Sequence, residues 1–239
     1  MQIISVINQK GGVGKTTTVI NLAAGLSQLN KKILVIDLDP QGNATTGLGL
    51  SNMDNSSETI YGVLNGTKEI DGVIKKTQFE NLDIITSNVD LSGLEVETAD
   101  DSNRAFILKA KLSAYLNNSI GSYDYVLIDC PPSLSLLTVM ALVCSSSLLV
   151  PLQTEFFALE GLTQLMKTID RIKVALNPDL KIRGILLTMY DKRNKLSSQV
   201  EKEARDYFSE KVYSTVIPRN VRLSEAPSHG MPVLVYDKS

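Results

Sequence analysis

Short, predominantly apolar runs alternate with longer amphipathic stretches from one end of the chain to the other. The runs cover residues 3–7, 33–36, 82–85, 125–128, 148–152, 182–189, 212–217 and 233–235. Strands buried on both faces of a parallel sheet read this way, as unbroken apolar segments rather than as strict alternation. Helical periodicity falls between them, over residues 16–29, 104–117, 134–144, 159–176 and 195–208. Strand-helix repetition predicts an α/β fold, a mostly parallel twisted β-sheet flanked by helices on both faces. Residues 43–59, rich in Gly, Ser, Asn and Thr, read as a mobile loop at the sheet edge. No repeat, low-complexity tract or Pro-rich linker divides the chain, so residues 1–239 are expected to form a single domain.

Composition narrows the function classes. With 43% hydrophobic residues there is ample material for a core, and a net charge of −2 excludes a globally basic nucleic-acid coat. A local basic patch stays open. Cys130 and Cys144 sit in apolar surroundings without metal-knuckle spacing, and read as buried, reduced thiols. The only histidine, His229, lies in a Ser-His-Gly loop, which argues against histidine-based metal or triad chemistry and for a surface position. The chain opens on its first apolar run with no basic segment before it, and no run is long enough to span a bilayer, so a soluble, cytoplasmic protein is expected.

The first strand is followed by Gln9-Lys10-Gly11-Gly12-Val13-Gly14-Lys15-Thr16-Thr17 and then by the first helix, the context that a phosphate-binding P-loop requires. Its glycines let backbone N–H groups close around phosphate oxygens, and the helix start adds its positive end. Residues Lys10 through Thr17 are therefore candidates for binding ATP or ADP, with Lys15 reaching the β- and γ-phosphates and the Thr16 hydroxyl ligating Mg²⁺. Gln9 stands where the ordinary motif has Gly, and Lys10 is an additional cation at the front of the loop.

Two acidic strand ends complete the pattern. The second strand runs into Asp37-Leu38-Asp39-Pro40-Gln41-Gly42-Asn43, whose carboxylates would emerge beside the phosphate loop, Asp37 on the metal's water shell. Val126-Leu127-Ile128-Asp129 reads as a Walker B strand, with Asp129 on a Mg²⁺-bound water.

Lys-Gly-Gly-Val-Gly-Lys-Thr-Thr resembles the deviant phosphate loop of the ParA/MinD group of ATPases. Asp39 through Asn43, Thr154 through Gly161 and Ile217 through Ala226 are similar to the Soj-type chromosome (or plasmid) partition ATPases, a likeness that covers nearly the whole chain. The resemblance implies a homodimer in the ATP state, with Lys10 crossing to the partner's nucleotide as an arginine finger would. It places Asp39 on the attacking water, so that Lys10, Lys15 and Asp39 form the catalytic set, and it puts Pro218 and Asn220 against the adenine. From Lys192 to Arg222 there are eight Lys/Arg against four Asp/Glu. Composition alone reads these as a solvated face. The resemblance assigns Arg193 and Arg222, with Lys192, Lys195 and Arg219 nearby, to non-specific double-stranded DNA on the nucleoid.

The implied partner is a ParB-type centromere-binding protein that stimulates slow hydrolysis. The rival from the same group is a MinD-like, membrane-associated division-site ATPase, which would bind membrane through a C-terminal amphipathic helix that is not seen here. A nitrogenase-reductase-like protein would need exposed cluster cysteines, and a metabolic kinase an acceptor-substrate lid. Relatives usually continue beyond the Tyr236-Asp237 position into one more helix, whereas the sequence stops at Ser239. The family pattern therefore implies uncovered apolar surface near Val233 and Val235.

Overall fold

The computed structural model describes residues 1–50, 56–118 and 122–237. In chain order its strands are β1 (Gln2–Val6), β2 (Ile33–Asp37), β3 (Ile74–Lys76), β4 (Leu82–Ile85), β5 (Tyr125–Asp129), β6 (Ser147–Gln153), β7 (Lys181–Tyr190) and β8 (Val212–Pro218). The helices are α1 (Lys15–Gln28), α2 (Asn43–Gly47), α3 (Ile60–Leu64), α4 (Leu94–Glu97), α5 (Ile107–Asn118), α6 (Leu136–Cys144), α7 (Ala158–Ala175), α8 (Lys195–Phe208), α9 (Val221–Glu225) and α10 (Val233–Tyr236). The strands pair in the order β3-β4-β2-β5-β1-β6-β7-β8. All pairs are parallel except β3 with β4, an antiparallel edge.

Alternation along each strand divides the core in two, because successive side chains leave a strand on opposite faces. Ile33 and Val35 pack on one face with Ile4, Val6 and Leu127 against Val19, Ile20 and Ala23 of α1. Leu34 and Ile36 point the other way, with Val126 and Ile128, toward Leu108 and Leu112 of α5, Met140 of α6 and Leu162 of α7. Each such side chain contributes about 1.5–3 kcal/mol on burial. The runs of β2, β4, β5 and β6 are mainly apolar because both faces are covered, whereas β8 keeps Tyr213, Ser214 and Thr215 exposed.

Two local expectations are corrected. Residues 233–235 are not a strand: Pro232 leads into one helical turn, and the Val233 N–H donates to Asn21 Oδ1 of α1 at 2.7 Å. The fixed backbone of Pro232 and a cap from α1 outweigh the β-propensity of two valines. Residues 43–59 are not simply a loop at the sheet edge. Asn43–Gly47 is helical over the carboxyl end of β2, and Ala44, Thr45 and Leu48 are buried. Gly42 (φ 63°) turns the chain into α2, and Ser56–Glu58 forms a 3₁₀ turn. The part of that expectation resting on residues 51–55 lies outside the described residues. Val233 and Val235 are half-buried and Leu234 is exposed, beside an apolar groove of about 630 Å³ between α1 and the β6–β8 face.

Candidate nucleotide and metal site

Strand register assembles the site. Val6 lies opposite Asp129 on one side of β5, and Asp37 lies opposite the same Asp129 on the other. Three segments far apart in sequence therefore end side by side. The chain leaves β1 toward β2 on one side, while β6 occupies the other. That reversal marks the place where open α/β sheets bind ligands, at the carboxyl ends of their strands.

The loop after β1 is held from outside. Asn8 Nδ2 donates to the Pro151 carbonyl at 2.7 Å, and Asn8 Oδ1 accepts from the Lys10 N–H at 3.0 Å. Thr188 Oγ1 donates to the Val13 carbonyl at 2.8 Å. Gly12 (φ 75°) and Gly14 (φ 91°) take the left-handed conformation, which a side chain would disfavour there. Such alternation gathers successive N–H groups into an anion nest at the start of α1. The cleft over the loop, about 460 Å³, is lined by Gly11, Gly14, Lys15, Thr16, Asp39 and Pro132 among others.

Lys15 is buried, and its Nζ donates to the Lys10 carbonyl at 3.0 Å. Burial lowers its pKa, while Asp129, Cys130 and Asp39 nearby oppose that shift. The Lys10 ammonium instead forms an ion pair with Glu155, and Lys10 does not line the cleft.

The two strand-end carboxylates differ sharply. Asp37 Oδ2 accepts from Thr45 N–H at 2.8 Å and Thr45 Oγ1 at 2.7 Å, and Oδ1 accepts from the Asp39 N–H at 3.2 Å. Burial pushes its pKa up to about 6, against the lowering effect of those bonds. Asp129 is fully buried, and neither of its oxygens has a hydrogen-bond partner. Burial first and Asp37 second push its pKa well above the carboxylate range, moderated by Thr16 and Lys15. A buried carboxylate without donors is costly in isolation. Beside the Thr16 hydroxyl and under a phosphate cleft, it fits Mg²⁺, which commonly takes one or two carboxylates plus phosphate oxygens. Asp39 is buried at the cleft wall, and its Oδ1 accepts from the Gln41 N–H at 3.0 Å.

A second cavity of about 230 Å³ continues behind Gly14 and Thr18, lined by Pro218, Asn220, Leu223 and Pro227. Asn220 Oδ1 accepts from the Arg222 N–H at 2.8 Å, capping α9. Gly49 (φ 83°) and Gly230 (φ 64°) meet so closely that a Cβ on Gly230 would stand 2.7 Å from Gly49 Cα. The segment after α2 and the loop before α10 thus close together beside the cleft.

The basic residues are gathered by the last two strands. Tyr190 of β7 lies opposite Pro218 of β8, and the Arg219 N–H donates to the Tyr190 carbonyl at 3.1 Å. Lys192, Arg193, Lys195, Arg219 and Arg222 are all exposed. Arg193, with a side chain 91% exposed, makes two 3.1 Å bonds to Asp191, and Arg222 pairs with Glu225 at 2.9 Å. Asp191 lies just outside the counted basic run and offsets part of its surplus.

Sequence reasoning did not find the roles of Asn8, Thr45, Glu155 and Thr188. Only Glu155 fell within a quoted motif, and nothing in that motif announces its pairing with Lys10. Both cysteines are buried, and burial pushes the Cys144 thiol up to about 12. His229 is exposed and stacks on Tyr236 at 5.0 Å.

Comparison with known proteins adds to this geometry. A family model described as an AAA domain matches residues 1–182. The chromosome partitioning protein ParA of Caulobacter vibrioides is 52% identical over 237 residues, 99% of this chain and 88% of the relative. The sporulation initiation inhibitor protein Soj of Bacillus subtilis is 50% identical over 236 residues, 99% of this chain and 91% of the relative. Among solved structures, cobyrinic acid a,c-diamide synthase of Mycobacterium smegmatis, with bound ATP analog and magnesium, superposes with TM-score 0.84 at 36% identity. That match covers 92% of this chain and 85% of the other. Among the described residues, no helix is long and apolar enough to cross a membrane.

Proposed function

We propose, because the chain belongs to the ParA/Soj family of chromosome-partitioning ATPases, that it couples ATP hydrolysis to reversible, non-specific binding of DNA. The observation that carries the reading is the orphaned Asp129 carboxylate beneath the glycine loop, with Lys15 and Thr16 beside it. ATP would lie with its phosphates on the N–H groups of residues 11–17 and its adenine in the cavity between Thr18, Pro218 and Asn220. Thr16 and Asp129 would hold Mg²⁺, with Asp37 behind them, and the ion would supply positive charge against the β- and γ-phosphates. Lys15 neutralises the transferred group from below. Asp39, fixed by its bond from Gln41, orients the attacking water and accepts its proton. Lys10 adds a cation from the partner protomer of a homodimer.

In this cycle ATP marks location rather than donating phosphate to an acceptor. The ATP dimer presents Arg193 and Arg222, with Lys192, Lys195 and Arg219, to DNA phosphates on the nucleoid, in the cytoplasm. A ParB-type partner stimulates slow hydrolysis to ADP and phosphate, and the dimer releases DNA. Identity of 52% and 50% to partition proteins favours this over a MinD-like membrane role.

The test is DNA binding at fixed moderate salt with ATP, ADP or no nucleotide, comparing wild type with Arg193→Ala/Arg222→Ala. Binding that needs ATP and weakens in the double variant, with a shallower salt dependence, is expected because fewer counterions are released. Equal affinity in ADP and ATP would contradict the cycle. Equal affinity of the double variant would remove the arginine assignment.

A further inference from the structure

Thr154 through Gly161 carries part of the family likeness but has no place in the nucleotide chemistry above. Phe156 and Phe157 within it are 74% and 68% exposed. Their rings meet edge-on, with centroids 5.0 Å apart and planes at 86°. They stand between the carboxyl end of β6 and the start of α7. The residue before them, Glu155, pairs with Lys10 of the phosphate loop, which fixes the aromatic patch next to the nucleotide cleft.

We infer that Phe156 and Phe157 are an apolar contact for a second copy of this chain, and that Glu155 holds Lys10 within its own protomer until that contact forms. The inference rests on the ATP-dependent dimer proposed above and adds the surface that makes dimerisation conditional. The position of Lys10 argues for a second copy as the occupant. Its side chain is 53% exposed and drawn toward Glu155, outside its own cleft. A cation so placed is positioned to serve a phosphate arriving from outside the protomer, and a second nucleotide-bearing copy brings one. A two-fold contact also sets the same patch of each copy against the other, and edge-on aromatic rings extend readily into further edge-to-face pairs.

The size of the patch explains why the contact would need nucleotide. A buried aromatic covers roughly 150–250 Å², so four rings at these exposures would bury on the order of 400–700 Å². Stable interfaces bury roughly 1,200–2,000 Å² in total. The rings alone therefore fall short of a standing dimer. The rest must come from surface organised around ATP, with Lys10 leaving Glu155 for the partner's phosphate.

Sedimentation velocity with ATP and Mg²⁺ on wild type, Phe156→Ser/Phe157→Ser and Glu155→Gln tests this, with a fluorescent ATP analogue measuring nucleotide affinity in the same samples. The double variant should bind the analogue within about twofold of wild type while its dimer dissociation constant rises by about tenfold or more. Glu155→Gln should dimerise several-fold more tightly, because a neutral amide holds Lys10 less firmly. Wild-type dimerisation by the double variant overturns the surface, and unchanged or weaker dimerisation by Glu155→Gln overturns the hold on Lys10. Both rings are exposed, so neither substitution opens the core. A Phe156→Cys variant treated with a short bismaleimide gives an independent reading, since Cys130 and Cys144 are buried. Cross-linked dimers in ATP but not in ADP are expected, and none in either state overturns the surface. Wild type that stays monomeric in ATP strikes the proposed cycle itself, whereas wild-type dimers unaffected by loss of the rings strike only this surface.

Discussion

Replacing Asp129 with Asn should stabilise the nucleotide-free protein while abolishing its response to Mg²⁺. The wild-type carboxylate is fully buried, lacks a hydrogen-bond partner and is repelled by Asp37 across the strand pair. An unsatisfied buried polar group costs about 1–3 kcal/mol, more when charged. Asn keeps part of the desolvation cost but removes the charge, so a net gain of about 1–2 kcal/mol at pH 8 is expected. For a chain of this length that raises the melting midpoint by about 2–8 °C.

The pH dependence gives the sign. Asp37 and Asp129 both have folded-state pKa values above their unfolded ones, Asp37 at about 6. The folded state therefore holds more protons, and the contribution of these groups to stability falls as pH rises through that window. It is greatest below the ordinary carboxylate range. The advantage of the variant should widen from pH 5 toward pH 8. Adding Mg²⁺ with ADP should reverse the order, because only wild type presents the buried carboxylate to the ion. Thermal unfolding from about pH 5 to 8.5, in EDTA and in Mg²⁺-ADP, reads all of this. A variant no more stable than wild type at pH 8 in EDTA, or one that gains equally from Mg²⁺-ADP, would refute the reasoning.

Three further predictions follow from single contacts. Thr45→Val removes the 2.7 Å bond to Asp37 Oδ2 and the 3.1 Å acceptor for the Ser87 N–H, so it should cost about 1–3 kcal/mol in chemical denaturation. An unchanged midpoint would show that Asp37 does not depend on it. Gly230→Ala forces a Cβ to 2.7 Å from Gly49 Cα at φ 64°, and should cost about 1 kcal/mol or more and speed nucleotide release in stopped flow. Retained stability and release rate would mean that the α2 segment and the late loop are not coupled. Lys15→Ala should weaken ATP binding about 10- to 100-fold by calorimetry, the worth of a charge-assisted bond to phosphate. Wild-type affinity would move the phosphates elsewhere.

The nucleotide loop was legible because its chemistry is local. Glycines that must take left-handed turns, a lysine and a threonine all lie within nine consecutive residues, after an apolar run and before a helix. The same holds for seven of the eight apolar runs, which form strands; most are covered on both faces and so are mainly apolar, while β8 keeps Tyr213, Ser214 and Thr215 exposed. It fails for residues 233–235, where a proline and the distant Asn21 decide the conformation. It fails too at α2, whose stability depends on Thr45 bonding back to Asp37 across eight positions.

By itself, then, the sequence determined the α/β class, the phosphate loop and the acidic strand ends, since each is written in a short window of residues. Only the tertiary structure decided that Asp37 is already occupied while Asp129 is left without a partner, that Thr188 braces the loop at Val13, and that Lys10 turns to Glu155. The reason is physical. Those outcomes depend on parallel register and on contacts between residues as many as 175 positions apart, and no local pattern of side chains encodes which distant partner a polar atom will meet.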